Sequence, residues 1–150
     1  MPLEKYKEKR TFSKTPEPDG KIKKPGKKLI FVIHKHFARN LHWDLRLEMD
    51  GVLRSWAVPK EPPTEKGIKR LAVLVEDHPL QYATFKGTIP EGNYGAGKVE
   101  IWDNGTYEIK WQDEKKIEVI FDGKKLKGNY VLVKTNYGSK PDKSWLFFKL

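Results

Sequence analysis

Apolar and polar residues alternate along much of the chain after residue 28, with the period of two that is typical of β-strands. The clearest run is Leu41–Met49, in which odd-numbered positions are apolar and even-numbered positions are polar. Further strands are predicted at 29–33, 52–58, 71–75, 99–102, 106–111, 117–121, 130–133 and 145–150. Short strands at this spacing favour a compact, mainly β single domain of about eight strands, either a barrel or a sandwich.

Three Xaa-Gly pairs predict hairpin turns between these strands: Asp50-Gly51, Asn104-Gly105 and Asp122-Gly123. No long segment shows the period of an amphipathic helix, so we expect little helix. Any helix is expected to be short and to lie inside residues 60–70.

Basic residues are concentrated at the start of the chain. Residues 1–28 contain ten basic and four acidic residues, a net charge of +6, out of +10 for all 150 residues. The pattern predicts an extended basic N-terminal arm (1–28) followed by one barrel domain (29–150). Such charge favours a polyanionic partner such as nucleic acid, although a solvated lysine-rich surface would have the same composition.

Several classes of protein are excluded by composition. The chain has no cysteine, which excludes disulfides, thiolate metal sites and cysteine nucleophiles. No apolar run approaches the roughly 20 residues that cross a bilayer, and the first residues lack the apolar core of a signal peptide. We therefore expect a cytoplasmic, nucleoid-associated protein without a membrane partner.

Three of the four histidines lie within nine residues of one another, beside a carboxylate. His42 and Asp44 are two residues apart on a predicted strand, so their side chains leave the same face. Their Cα atoms are expected to lie about 6.5–7 Å apart. If the preceding strand pairs with this one, His36 lies beside His42. Two imidazoles and one carboxylate form a three-ligand site that suits Mn²⁺, Fe²⁺ or Zn²⁺. The alternative is a solvated strand face.

Other polar residues near this cluster are candidates for binding a substrate. Arg46 continues the same strand face and is placed to hold a phosphate through two hydrogen bonds. His78 follows an apolar strand and is either a turn residue or a phosphate-contacting or acid group. His34 shares the face of His36, as a phosphate-facing or simply packed residue.

These motifs resemble the phosphoesterase domain of bacterial-type DNA ligase D and its freestanding archaeal and bacterial forms. The resemblance covers most of the chain and also includes residues 9–12, 15–18 and 51–60. The blocks that define it are His34-Lys35-His36, Leu41-His42-Trp43-Asp44-Leu45-Arg46, Glu76-Asp77-His78-Pro79 and Ile89-Pro90-Glu91-Gly92-Asn93-Tyr94-Gly95-Ala96-Gly97.

The resemblance implies a β-barrel and a Mn²⁺-dependent phosphoesterase, with Zn²⁺ or Co²⁺ as substitutes. The substrate would be a DNA or DNA/RNA primer-template 3′ end. The enzyme would remove a terminal ribonucleoside by phosphodiester cleavage and then hydrolyse the 3′-phosphate, during non-homologous end joining. It would work as a monomer beside a separate DNA ligase and an end-binding repair protein.

By motif position, the resemblance makes His36, His42 and Asp44 the metal ligands, and Arg46 and His78 the residues that engage the scissile phosphate. Departures from the family pattern occur at Phe37, Arg39-Asn40 and Thr11. Further substrate-binding positions are implied at Arg10, Glu17, His34, Lys60, Arg70, Glu76 and Tyr82.

Two other functions are compatible with the residues. One is a nucleic-acid-binding β-barrel without catalysis, in which the histidines are structural. The other is a metal-dependent oxygenase, because two histidines and one carboxylate also suit Fe²⁺.

Overall fold

The computed structural model describes residues 28–92, 96–136 and 141–150. The predicted N-terminal arm, with Arg10 and Glu17, therefore lies almost wholly outside the described residues. So do residues 93–95 of the glycine-rich block.

Nine strands and two short 3-10 helices occupy the described part of the chain. The strands are β1 (Leu29–Phe37), β2 (Leu41–Met49), β3 (Val52–Val58), β4 (Lys69–Pro79), β5 (Gly87–Ile89), β6 (Gly97–Gln112), β7 (Lys116–Asp122), β8 (Lys127–Lys134) and β9 (Ser144–Lys149). The helices are Leu80–Thr84 and Pro141–Lys143. No helix in these described residues is long and apolar enough to cross a membrane.

Eight of the strands close into an antiparallel barrel. Hydrogen bonding follows the order β1-β2-β3-β4-β9-β8-β7-β6, and β6 returns to β1. The short β5 pairs with the first part of β6 and stands outside the ring. Closure leaves no unpaired edge in the ring, which confirms the prediction of a mainly β barrel with little helix.

The barrel interior is filled by the apolar side chains that alternate along the strands. Trp43, Leu45 and Leu47 of β2 all point into this core, as the period of two predicts. Trp56 and Trp145 meet edge to face across it, with ring centroids 5.8 Å apart. Burial of these large side chains is the main source of stability, because each removes a large apolar area from water.

The predicted hairpin at Asn104-Gly105 is wrong, because β6 runs through both residues without reversing. Its first part pairs with β5, its last part with β7, and most of its length with β1. The backbone of Asp122 approaches Gly105 so closely that a β-carbon there would collide with it. Glycine therefore serves close strand packing at this position, and pairing overrides the local turn signal.

A second, smaller apolar cluster lies on the outer face of the barrel. Ala83 of the 3-10 helix Leu80–Thr84 packs against Val32 of β1 and Leu53 of β3. Leu80, Tyr82 and Ile101 complete the cluster. Residues 60–70, where a helix was predicted, contain none. The helix at 80–84 instead covers the outer face of β1 and β3, which turns part of that surface into a buried layer.

Candidate metal centre and its polar surroundings

The polar residues of β1 and β2 meet on the outer face of the barrel. In the antiparallel register His36 lies opposite His42, and His34 lies opposite Asp44. The pairing that the sequence required for a metal site is therefore present. The face is not solvated, because Asp44 is 5% and Arg46 is 4% exposed. Buried charges need partners, so this burial rules out the alternative of a solvated strand face.

His36, His42 and Asp44 form a compact group of metal-binding atoms. His36 Nδ1 lies 3.6 Å from Asp44 Oδ2, and His42 Nε2 lies 3.3 Å from Asp44 Oδ1. One donor atom from each residue lies within 4.8 Å of the other two. Two imidazole nitrogens and a carboxylate oxygen in this arrangement suit one divalent cation with positions left open. Within the described ranges this is the one group of its kind.

The ring of His42 is oriented by the backbone. Its Nδ1 lies 3.0 Å from the carbonyl oxygen of Asn40, which can only accept a hydrogen bond. Nδ1 therefore carries the hydrogen, and Nε2 faces Asp44. Fixing one nitrogen in this way leaves the other for a cation, as is common for histidine ligands. The hydrogen bond to Asp44 raises the pKa of His42, so a proton competes for the same nitrogen.

Asp44 stays ionised despite its burial. Burial alone would raise the pKa of this carboxyl group. Hydrogen bonds from His36 and His42, together with the charge of Arg46, outweigh that effect and hold the pKa of Asp44 well below its usual range. The negative charge that a cation needs is therefore available at neutral pH.

Arg46 joins the metal-binding group to a second set of polar side chains. Its guanidinium donates to Asp44 Oδ2 at 3.3 Å, to Ser55 Oγ at 2.9 Å and to His34 Nδ1 at 3.1 Å. His78 Nδ1 lies 3.0 Å from Arg46 Nη1. A guanidinium held by so many partners is fixed in position, which is what recognition of a planar or tetrahedral anion requires.

His34 and His78 are neutral at physiological pH. Burial, aided by the positive charge of Arg46, lowers the pKa of each to about 4. Because Arg46 can only donate, Nδ1 of His34 accepts and its Nε2 carries the hydrogen. His34 Nε2 donates to the carbonyl oxygen of Phe85 at 3.0 Å. His78 Nδ1 lies 3.1 Å from the Glu76 carbonyl and 3.0 Å from Arg46 Nη1.

Tyr82 lies over this polar cluster from the 3-10 helix. The centre of its ring is 5.0 Å from Arg46 Cζ and 4.9 Å from the ring of His78, and its edge contact with His34 spans 5.3 Å. Burial raises the pKa of Tyr82, so its hydroxyl remains a hydrogen-bond donor. The structure thus assembles His34, His36, His42, Asp44, Arg46, His78 and Tyr82 in one place.

Of the other predicted site residues that the structure describes, Glu76 contacts the cluster through its backbone carbonyl, beside His78. Arg70, on β4, donates from Nε to the carbonyl oxygen of Glu61 at 2.8 Å. Lys60 follows β3 and Glu76 lies on β4, and both are exposed. Their predicted roles in substrate binding stay predictions.

Ser55 and Phe85 belong to the cluster but were missed by the analysis of the sequence. Ser55 is fully buried and accepts from Arg46 while donating to the carbonyl oxygen of Leu53 at 3.1 Å. A small polar residue in β3, whose other residues apart from Arg54 are apolar, was the available signal. Phe85 contributes a backbone carbonyl, for which a sequence offers no signal.

Comparison with known proteins places the cluster in a family. The family model described as the DNA Ligase D 3′-phosphoesterase domain matches residues 34–134, more than half of the chain. The chain belongs to this family. The matched range contains every residue of the cluster described above, from His34 to Phe85.

Members of the DNA ligase D family are similar over nearly the whole chain. The multifunctional non-homologous end joining protein LigD of Pseudomonas aeruginosa is 46% identical over 99% of this chain, and that of Mycobacterium bovis is 50% identical over 89%. The protein of the same name from Mycolicibacterium smegmatis is 45% identical over 99%. The match spans 18% to 20% of the length of these larger proteins.

Proposed function

We propose that the protein is a Mn²⁺-dependent phosphoesterase that processes 3′ ends of nucleic acid strands. The observation that carries this proposal is the buried guanidinium of Arg46, held beside the three metal-binding side chains. An anion-binding group fixed next to a cation site suits a phosphate ester that bridges the two. Membership of the phosphoesterase family supports the same chemistry.

His36, His42 and Asp44 would hold the cation. When bound there, Mn²⁺ supplies a Lewis acid that polarises a phosphate oxygen, and Zn²⁺ or Co²⁺ are candidate substitutes. The chain's own contribution is to keep Asp44 ionised and His42 turned toward the site through its bond to the Asn40 carbonyl.

Arg46, His78 and Tyr82 would receive the other phosphate oxygens. Arg46 offers a fixed positive charge in a site sheltered from water, where such a charge is more effective than in solution. His78 has a pKa of about 4, so in the free protein at neutral pH its ring is neutral and offers a hydrogen bond rather than a proton. We assign it that role, with a water molecule as the nucleophile.

The relatives are multifunctional non-homologous end joining proteins, which supports a role in that process. We propose that this protein heals DNA or DNA/RNA primer-template ends in that process, beside a separate ligase and an end-binding repair protein. It would remove a 3′-terminal ribonucleoside and then the remaining 3′-phosphate, which leaves a 3′-hydroxyl ready for joining.

The first test is a gel assay on a labelled primer-template that ends in one 3′-ribonucleotide. With Mn²⁺ we expect the primer to lose one nucleoside, giving a 3′-phosphate and then a 3′-hydroxyl, and with EDTA we expect no change. An unchanged primer with folded, metal-loaded protein would contradict the proposal. DNA binding that ignores metal would then favour a binding module without catalysis.

Substitution of Arg46 tests the anion-binding role. Arg46→Lys keeps the charge but loses the forked donor geometry, so we expect turnover to fall about 10²–10³-fold, as for loss of a transition-state donor. Lys110→Ala is the matched control, because Lys110 is an exposed cation whose contact to Glu118 is long, at 3.9 Å. Equal rates for Arg46→Lys and the wild type, with both proteins folded, would contradict the role.

A further inference from the structure

An aromatic stack borders an open depression beside the polar cluster. The rings of Tyr82 and Phe85 are 4.8 Å apart and nearly parallel, at an interplanar angle of 11°. Together with Pro79, Gln81 and Thr84 they line a depression of about 490 Å³. The Tyr82 ring contacts Arg46, so the aromatic stack lies directly beside the guanidinium.

The stack is fixed relative to Arg46 by two connections. His34 accepts from Arg46 Nε on one side of its ring and donates to the Phe85 carbonyl on the other. The Phe85 amide donates to the Tyr82 carbonyl at 3.1 Å, which closes the end of the 3-10 helix. Ala83, between them, is anchored in the outer apolar cluster. The depression therefore keeps a constant position with respect to the phosphate-facing residues.

The chemistry of the depression suits a nucleobase. Flat aromatic side chains bind the faces of bases without regard to sequence, and an exposed polar side chain such as Gln81 suits their polar edges. We propose that the depression holds the base of the 3′-terminal nucleoside, the leaving group of the diester reaction. This inference rests on the proposed function and adds to it a binding site for the nucleoside that departs.

The terminal base fits this role better than the base before it. The preceding base is paired with the template and stacked on both sides, so moving it into the depression would break a pair inside the duplex. A terminal base has one stacking neighbour, and unpairing at an end costs less. The depression is also lined by a short segment, residues 79–85, which suits one base rather than a base pair.

The proposal predicts an effect on one of the two reactions. A primer with a 3′-ribonucleoside places a base in the depression, whereas a primer that ends in a 3′-phosphate has no nucleoside beyond the phosphate. For Phe85→Leu we expect the ratio of the diesterase kcat/KM to the monoesterase kcat/KM to fall about tenfold, the value expected for lost base stacking. Phe85→Trp keeps a flat aromatic ring, so its ratio of the two kcat/KM values should equal that of the wild type.

Trp111→Leu is the matched control for removal of an exposed aromatic ring. Trp111 is 49% exposed and lies far along β6 from Val99, which pairs with His36. Its substitution should leave the ratio as in the wild type. An equal fall of both rates in Phe85→Leu, or no fall in either, would overturn the proposal.

Equilibrium binding in EDTA separates this proposal from the proposed activity. The affinity for a primer-template with a 3′-terminal ribonucleoside is compared with that for one ending in an abasic ribose, by fluorescence anisotropy. We expect the wild type to prefer the intact nucleoside about tenfold and Phe85→Leu to lose that preference. Equal affinity of the wild type for both ends would overturn the base site, whether or not the protein hydrolyses either primer.

Discussion

At the scale of single residues, the site combines one permanent positive charge with neutral imidazoles. Burial, and after it the charge of Arg46, lowers the pKa of both His34 and His78. A neutral ring can accept from the guanidinium, whereas a protonated ring would repel it. Protonation of these two histidines would therefore weaken the hold on Arg46, which Asp44 and Ser55 also contact.

This dependence predicts acid sensitivity. A histidine whose pKa is about 4 in the folded protein and about 6.5 when unfolded binds fewer protons in the folded state, so stability falls as pH drops from about 6.5 to 4. His78→Asn removes that group. Between pH 7 and 4.5, urea unfolding should show a smaller loss of stability for the variant than for the wild type. The difference should be on the order of 1 kcal/mol, allowing for solvent screening.

An identical loss of stability in both proteins would contradict the neutral state of His78. The midpoint and the slope of the urea transition should be compared at each pH, because a change in slope would report a change in surface exposure instead.

The clustering of the three residues of the candidate metal centre could be predicted from the sequence, while their partners could not. His42 and Asp44 share a face because residues two apart on a strand always do, and one register then places His36 beside them. The bonds from Arg46 to Ser55 and His78 join β2 to β3 and β4. Such contacts depend on how separate strands align, which no local pattern specifies.

At the scale of elements, a buried carboxylate ties the turn between β7 and β8 to β6. Asp103 is 3% exposed and accepts backbone hydrogen bonds from Asn104, Lys124, Lys125 and Leu126 at 2.8–3.0 Å. The amides of Lys124, Lys125 and Leu126 lie in the turn between the two strands, so the carboxylate satisfies donors that strand pairing does not reach.

Replacement of this carboxylate should destabilise the barrel without changing the site. Asp103→Ala leaves buried amide donors without an acceptor, and we expect the free energy of unfolding to fall by about 2–4 kcal/mol. Glu114→Ala, an exposed acidic residue in the preceding turn, is the control and should change it by less than about 0.5 kcal/mol. Denaturant unfolding measures both, and an unchanged Asp103→Ala would contradict the structural role.

The prediction of strands and turns succeeded where apolar and polar residues alternate over a long run. It failed where pairing with a strand distant in sequence overrides a local turn signal. The nine apolar-polar alternating residues of β2 match Leu41–Met49 in the structure. Asn104-Gly105 reads locally as a turn, but β1 pairs with β6 across it and keeps the strand extended. The 3-10 helix Leu80–Thr84 is too short to show a period, and packing on the outer cluster stabilises it.

At the scale of the whole molecule, the net charge of +10 predicts how binding responds to salt. If the protein binds primer-template ends as proposed, each neutralised phosphate releases a counterion. The logarithm of affinity should therefore fall linearly with the logarithm of salt concentration. Anisotropy measurements from 50 to 200 mM salt should show a loss of at least about tenfold. Affinity that is independent of salt would contradict electrostatic binding of the backbone.

The two faces of β2 have separate tasks. Trp43, Leu45 and Leu47 fill the barrel interior, whereas His42 and Asp44 belong to the candidate metal centre on the outside. The effect of mutation should therefore alternate residue by residue along this strand. Substitutions at odd-numbered positions should impair folding, and those at even-numbered positions should impair activity. Because the interior does not share side chains with the centre, new substrates can be acquired through the outer face while the scaffold is inherited unchanged.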